Sequence, residues 1–267
     1  MQSKENNTES NFRVITTFND DLYRNSGKAF LKTVERVMPE AELLIYEELE
    51  KGLKEDINSI KVTELPKFKE VFENHKDVIS SYYGGNADRN SKTQKLAWEW
   101  QYRWFGWFRK IAAQHHAITV NKYKGYNVFF DCDVRITKKF TKEYIRSKLN
   151  GKPMGVFKGD RGTVEAALVI VDGESTEAQE IYEYIMNLFV SGEFKKLDRW
   201  DDSFVFADIM NARPHSMQDL AEGVSAREYT NSNGHFTGGH VIPFTEWGEF
   251  FEHDKGIHWR QGAVPKF

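Results

Sequence analysis

The pattern that most constrains this chain is an alternation of short apolar segments with longer segments of helical spacing. Residues 12–18 are rich in β-branched and aromatic side chains and run into a polar turn, which predicts a buried strand. Apolar side chains then recur at helical spacing from Tyr23 until Pro39 ends the helix, and residues 42–46 predict the next strand. Because strand, helix and strand follow one another, we expect an α/β fold built on a sheet.

The same alternation continues along the chain. We expect further strands at residues 60–65, 126–134 and 164–171, and further helices at residues 66–78, 91–115, 141–149 and 176–190. Linker composition and internal repeats are lacking in the sequence. We therefore expect a flexible tail at residues 1–10, which lack apolar anchors, and a single domain over residues 11–267.

Composition and charge exclude several classes of protein. A chain with 40% hydrophobic, 14% aromatic and 29% charged residues is globular, which excludes disordered, collagen-like and coiled-coil classes. The net charge of -3 gives no general attraction to nucleic acid or membrane, so a partner must be recognised at a local site. The amino terminus does not resemble a signal peptide, Cys132 has no second cysteine to pair with, and the apolar runs are too short to span a bilayer. We expect a cytoplasmic protein with no membrane partner.

The helix expected at residues 91–115 combines aromatic and basic side chains. Its aromatic and aliphatic positions form one stripe that is expected to face the core: Trp100, Trp104, Trp107, Phe108 and Ile111. Arg103, Arg109 and Lys110 lie among them, and interleaved aromatic and basic side chains also bind nucleic acid by stacking and charge. A core helix with a solvated basic edge and a nucleic-acid-binding surface both remain open.

Two aspartates close the strand expected at residues 126–134. Asp131 and Asp133 are two positions apart, so in extended geometry both carboxylates project to the same side and can coordinate one cation. Ligands collect beyond the carboxyl ends of strands in open α/β sheets, and a hard metal ion there neutralises a departing diphosphate. A polar strand-to-loop turn explains the same residues without a ligand.

Four segments taken together resemble a known enzyme family. They are the end of the first strand (Thr16-Thr17-Phe18-Asn19), the helical basic pair Arg109-Lys110, the strand end Phe129-Phe130-Asp131-Cys132-Asp133, and His253-Asp254-Lys255-Gly256. In order and spacing they are similar to the nucleotide-sugar glycosyltransferases of the GT-A fold, in a bacterial and viral, phage-type branch. The resemblance spans residues 12–260 and implies a GT-A type, Rossmann-like mixed sheet flanked by helices. It also implies metal-dependent transfer of a sugar from a nucleoside-diphosphate sugar to a hydroxyl acceptor.

Carried over by position, the resemblance implies a role for each matching residue. Asp133 and His253 would be ligands of Mn²⁺ or Mg²⁺, and Asp131 would contact the donor ribose, or the metal through water. The residues implied in donor binding are Thr16, Thr17, Asn19, Arg103, Arg109, Lys110, Asp131, Lys255 and Gly256. Such types suit the chemistry, because cationic groups offset the charge of the departing diphosphate and glycine lets the backbone approach it.

An inverting reaction also needs a general base. Asp201 and Asp202 follow the helix at residues 176–190, and either carboxylate could accept the proton of the acceptor hydroxyl. Either could instead cap a helix that begins at Ser203. Glu165, at the start of the strand at residues 164–171, is the alternative acid. The residues leave retention and inversion both open.

Residues 231–240 are rich in glycine and suit either a mobile active-site loop or a plain surface loop. His235 and His240 lie in this segment, but the sequence offers no cysteine pair or closely spaced histidine pair to support zinc there, and we reject a zinc site.

The acceptor is open between three substrate classes: a surface-glycan precursor, a protein, and a 5-hydroxymethylated pyrimidine in phage DNA. A DNA acceptor requires a basic surface, which we expect to be drawn from Arg89, Lys92, Lys95, Arg103 and Arg109.

Two other functions compete with glycosyl transfer. A haloacid-dehalogenase-type phosphohydrolase also ends an apolar strand in Asp-x-Asp, but Arg135 stands where such enzymes have Thr or Val, and their strand usually lies near the amino terminus. A nucleic-acid-binding module explains neither the Asp131 and Asp133 pair nor the segment from His253 to Gly256.

Overall fold

The computed structural model describes residues 12–53, 57–76, 104–159, 163–197, 199–224, 241–242 and 245–253. In this part of the chain, strands and helices alternate as the sequence predicts. The strands are β1 Phe12–Asn19, β2 Glu42–Glu48, β3 Ser59–Lys61, β4 Tyr126–Asp131, β5 Val134–Ile136, β6 Met154–Lys158, β7 Val164–Asp172, β8 Met217–Asp219 and β9 Phe251–His253.

The α-helices lie between these strands. They are α1 Asp20–Leu22, α2 Lys28–Val37, α3 Pro66–Asn74, α4 Trp104–His115, α5 Lys142–Leu149, α6 Thr176–Ser191 and α7 Asp202–Ala212. Short 3₁₀ turns occur at Val62–Glu64, Glu193–Lys196 and Glu246–Glu249, and π-helical turns at Tyr23–Gly27 and His116–Val120. Each helix of the described residues is too short or too polar to cross a bilayer.

Seven of the strands form one mixed sheet in the order β3-β2-β1-β4-β7-β6-β8. The first four in this order are mutually parallel, β7 is antiparallel to both of its neighbours, and β8 is parallel to β6. Strands β5 and β9 pair antiparallel in a second, two-stranded sheet. The predicted α/β class, a Rossmann-like mixed sheet flanked by helices, is confirmed.

This topology brings several strand ends to one edge of the main sheet. The carboxyl ends of β1, β2 and β4 meet there, together with the amino end of β7, which runs the opposite way. From β1 the chain moves outward to β2 and β3 on one side, and β4 lies on the other side of β1. The boundary between β1 and β4 is therefore the switch point of the sheet, where open α/β proteins bind ligands.

Two apolar layers hold the helices against the sheet. One layer contains Trp104, Phe108 and Ile111 of α4, which are at most 1% exposed, together with side chains of α3, α6 and α7. The other face of the sheet is covered by α2 and α5. The predicted core stripe of α4 is thus confirmed at these three positions, Trp107 is half-buried, and Trp100 lies outside the described residues.

Two predicted strands end differently in the structure. The segment at residues 60–65 is a short strand that turns into a 3₁₀ helix, which lets Val62 and Leu65, three positions apart, both enter the core. The segment at residues 126–134 breaks at Asp131, and Val134 begins a strand of the second sheet. Because Cys132 and Asp133 form a turn, the extended geometry ends at Asp131, and the strand alternation that would project both carboxylates to one side does not apply to Asp133.

Candidate active site

The residues expected at the end of β1 lie beside the switch point. Thr17 is the register partner of Asp131, so the two stand next to each other at the carboxyl edge of the sheet. Thr16 is buried, and its Oγ1 donates to the carbonyl oxygen of Phe130 at 3.0 Å. Asn19 caps α1, with its Oδ1 accepting from the amide of Leu22 at 2.9 Å. Thr17 is therefore the member of this group that stands directly beside Asp131 at the strand end.

Lys110 lies at the centre of the site. Its Nζ is 2.7 Å from Asp131 Oδ1 at the end of β4, 2.7 Å from the carbonyl oxygen of Ala166 in β7, and 2.7 Å from Asp202 Oδ2 in α7. The lysine side chain is 13% exposed and that of Asp202 4%. Burial by itself lowers the pKa of Lys110, but the attraction of Asp131 and Asp202 outweighs burial and raises that pKa above its ordinary value. The lysine stays charged.

A second ion pair lies on the same helix. Arg109 Nε is 2.5 Å from Glu48 Oε1, and the Arg109 guanidinium lies 5.0 Å from the centre of the Phe105 ring. Burial raises the pKa of Glu48, and the charge of Arg109 opposes this shift. Glu48 is the register partner of Asn19, which places it at the same edge of the sheet.

Sequence reasoning missed Glu48. The signal that could have found it is an acid at the carboxyl end of a parallel strand beside the switch point.

The two adjacent aspartates of α7 have different surroundings. Asp201 is the helix cap: its Oδ1 accepts from the amide of Phe204 at 3.2 Å and its Oδ2 from Arg199 Nε at 2.8 Å. Burial and the neighbouring charge of Asp202 raise the pKa of Asp201, and Arg199 opposes the rise. Asp202 instead accepts from the amide of Ser203 at 3.0 Å and pairs with Lys110. Only Asp202 of the two therefore joins the ion-pair cluster at the strand ends.

Glu165 is buried near the amino end of β7. Its Oε2 accepts hydrogen bonds from the backbone amides of Val241 and Ile242, at 2.5 and 3.0 Å. The carboxylate thus fixes the path of the chain at these two residues, close to the edge where β4 ends.

The expected metal ligands come from two parts of the chain that the second sheet joins. In the β5 and β9 ladder, Val134 is the register partner of His253, so the backbone of His253 lies next to the residue that follows Asp133. Carboxylate oxygens and an imidazole nitrogen form a donor set that accepts Mn²⁺ or Mg²⁺. Within the described side chains, no group of three His, Cys, Asp or Glu residues is arranged to hold a metal ion.

Several predicted features lie outside the described residues. They are Arg103, Lys255 and Gly256 of the donor site, His235 and His240 in the glycine-rich segment at residues 231–240, the tail at residues 1–10, and Arg89, Lys92 and Lys95 of the expected basic cluster. Arg109 is the described member of that cluster, and it pairs with Glu48.

Comparison with known proteins gives matches to solved structures alone. No family model and no curated protein matches the sequence. Mouse xyloside xylosyltransferase 1 in its apo form matches with a TM-score of 0.49 and 10% identity, over 78% of this chain and 84% of that chain. The glycosyltransferase GlyE of Streptococcus pneumoniae matches with a TM-score of 0.44 and 9% identity, over 79% and 46% of the two chains. A glycosyltransferase involved in glycosylation of the major capsid of the virus PBCV-1 matches with a TM-score of 0.41 and 10% identity, over 95% and 96%.

Proposed function

We propose that this protein is a GT-A-type glycosyltransferase that moves a sugar from a nucleoside-diphosphate sugar to a hydroxyl acceptor. The observation that carries the proposal is the cluster at the switch point, where Lys110 lies 2.7 Å from both Asp131 and Asp202. Two carboxylates and a cation from three different elements meet where a sheet of this topology binds its ligand. Buried charge of this kind is costly to assemble, and it concentrates at functional sites.

The donor diphosphate needs positive charge, and the chain offers it beside this cluster. Asp133 and His253 would hold Mn²⁺ or Mg²⁺, with Asp131 nearby, and the pairing of Val134 with His253 supports this assignment. When bound, the cation would offset the negative charge that develops on the departing nucleoside diphosphate. Arg109, Lys255 and the amide of Gly256 would contact the donor phosphates or nucleotide, and Thr17 lies at the strand end beside Asp131.

The contacts favour Asp202 as the acid that faces the reacting groups. Asp201 caps α7 and pairs with Arg199, and Glu165 is tied to two backbone amides, whereas Asp202 pairs with Lys110 of the strand-end cluster. Asp202 shares its cation with Asp131, so it lies next to the residues proposed for the donor. As a general base it would accept the proton of the acceptor hydroxyl in an inverting reaction.

The acceptor that we propose is a 5-hydroxymethylated pyrimidine in DNA, and the alternative is a glycan or protein hydroxyl. A DNA acceptor rests on the basic residues around Arg89 to Arg103 in the sequence. Its test differs from that of donor use, because it requires transfer of the sugar to hydroxymethylated DNA.

Donor hydrolysis in the presence of Mn²⁺ tests the proposed activity without knowledge of the acceptor. We expect one of a panel of nucleoside-diphosphate sugars to be hydrolysed, and EDTA to abolish the activity. Asp133→Asn should lower the rate about a thousandfold, because a lost metal ligand removes several kcal/mol of stabilisation of the leaving group. Asp208→Asn, an exposed carboxylate on α7, is the matched control and should retain full activity. Failure to hydrolyse any donor would overturn the proposed activity, and full activity in EDTA or in Asp133→Asn would overturn the proposed metal site.

A further inference from the structure

The surroundings of Lys110 differ from those of a phosphate-binding lysine. An ammonium group has three N–H donors, and three oxygen atoms lie at hydrogen-bonding distance from it, those of Asp131, Asp202 and Ala166. Two of these acceptors are carboxylates, so the positive charge is already balanced by two negative charges. A donor phosphate would have to displace one of three 2.7 Å contacts at a largely buried atom.

We infer that Lys110 is a positioning residue, which fixes Asp131 and Asp202 relative to each other and does not bind the donor phosphates. This inference rests on the proposed function and assigns one residue of that site a different task from the one implied by the sequence resemblance.

The geometry supports the inference through the elements that it joins. Lys110 comes from α4, whereas its three acceptors belong to the end of β4, the beginning of β7 and the first turn of α7. The bound oxygens of Asp131 and Asp202 each lie 2.7 Å from the Lys110 Nζ, so the distance between these two oxygens is at most twice that length. Carboxylates this close repel each other, and the ammonium between them offsets that repulsion and fixes their positions.

The position of Asp202 is the part of this arrangement that affects the reaction. Asp202 lies at the first position of α7 and is held on one side by the amide of Ser203 and on the other by Lys110. A shift of about 1 Å in a reacting group costs roughly a hundredfold in rate. Loss of the ammonium should therefore lower kcat and leave the binding of the nucleoside diphosphate nearly unchanged.

A double-mutant cycle between Lys110→Met and Asp202→Asn separates positioning from phosphate binding. If Lys110 acts through Asp202, Lys110→Met lowers kcat roughly a hundredfold, Asp202→Asn lowers it by at least as much, and the double variant is no slower than Asp202→Asn alone. The dissociation constant for uridine or guanosine diphosphate, whichever matches the donor that is hydrolysed, should change less than about threefold. Lys69→Met, an exposed lysine on α3, is the control and should be additive with Asp202→Asn. If Lys110→Met does not fold, Lys110→Gln, which also removes the positive charge, takes its place in the same cycle.

The other outcomes are distinct. Weaker nucleoside-diphosphate binding with additive losses in kcat would show that Lys110 contacts the donor, and would overturn the inference alone. A lower melting temperature with normal kcat per folded molecule would show a merely structural ion pair, and would also overturn it. If the parent protein hydrolyses no donor at all, the proposed function fails and the inference falls with it.

Discussion

At the scale of single residues, the adjacent aspartates at the start of α7 predict different effects when each carboxylate is lost: a loss of stability at Asp201 and a loss of turnover at Asp202. Asp201→Ala should lower the free energy of unfolding by about 1 kcal/mol, because alanine removes both the cap of α7 and the partner of Arg199, with kcat per folded molecule retained. Asp202→Asn should lower kcat roughly 10²- to 10⁴-fold if Asp202 is the general base. Urea unfolding and donor turnover on the same preparations check both results. Normal turnover of Asp202→Asn would exclude Asp202 as the general base and leave Glu165 as the candidate.

The histidines at the end of α4 predict how stability depends on pH. Burial lowers the pKa of His115 below its ordinary value of 6.5, although Glu183, 3.3 Å from His115 Nε2, acts in the opposite direction. Burial also lowers the pKa of His116, and the neighbouring charges of His115 and Arg13 add to this. Because the folded state holds these groups neutral, their contribution is present above about pH 6.5 and is lost as the pH falls.

We therefore expect the free energy of unfolding to fall between pH 7 and pH 5, and His115→Gln to reduce the slope. The measurement is urea unfolding at each pH, with His215→Gln, an exposed histidine, as the control. An equal slope in His115→Gln and the parent would contradict the prediction.

Local contacts of single residues can be predicted from the sequence, whereas their long-range partners cannot. Caps are local, so the polar side chains at Thr141, Ser175 and Asp201 could be predicted from the few residues that follow them. The partners of Arg109 and Lys110 come from strands and helices far away in the chain, and no spacing rule specifies them. The sequence thus indicated which residue types gather at the site, and only the fold shows which of them neutralise one another.

At the scale of elements, the second sheet is the feature that the sequence pattern conceals. The sequence predicts one strand over residues 126–134, yet that strand ends at Asp131, and Val134 to Ile136 pair with Phe251 to His253 instead. Pairing between segments more than a hundred residues apart depends on the tertiary fold, and three-residue strands give almost no periodic signal. The main strands, such as β1 and β7, are longer and buried, so their extended apolar pattern made them predictable from the sequence.

This pairing makes β9 a support for the proposed metal site. Glu252→Pro should remove a main-chain donor in the middle of β9 and disturb the position of His253 next to Asp133. We expect Mn²⁺ affinity to fall roughly 10- to 100-fold, as it does when groups that orient metal ligands are lost. Isothermal titration with Mn²⁺ measures this, and Glu252→Ala, which keeps the backbone donor, is the control. Equal affinity in the two variants would remove His253 from the proposed site.

At the scale of the whole molecule, the charge distribution bears on the acceptor. The net charge is -3, and the one described member of the expected basic cluster, Arg109, is balanced by Glu48. A DNA acceptor therefore depends on Arg89, Lys92, Lys95 and Arg103. Sugars are bound mainly by hydrogen bonds and aromatic faces, so a glycan acceptor makes no demand on these residues.

A DNA acceptor and a glycan acceptor therefore differ in which substrate receives the sugar. If the acceptor is a 5-hydroxymethylated pyrimidine in DNA, radiolabelled sugar should appear in hydroxymethylated DNA and not in unmodified DNA. Lys92→Gln and Lys95→Gln should each weaken DNA binding at every sequence and reduce the slope of log affinity against log salt concentration by about one unit, since each phosphate contact releases about one counterion. Lys142→Gln, on α5, is the control for a lysine outside the cluster. If the donor is hydrolysed but no label enters the modified DNA, the donor site works and DNA is not the acceptor. The acceptor is then a glycan or a protein.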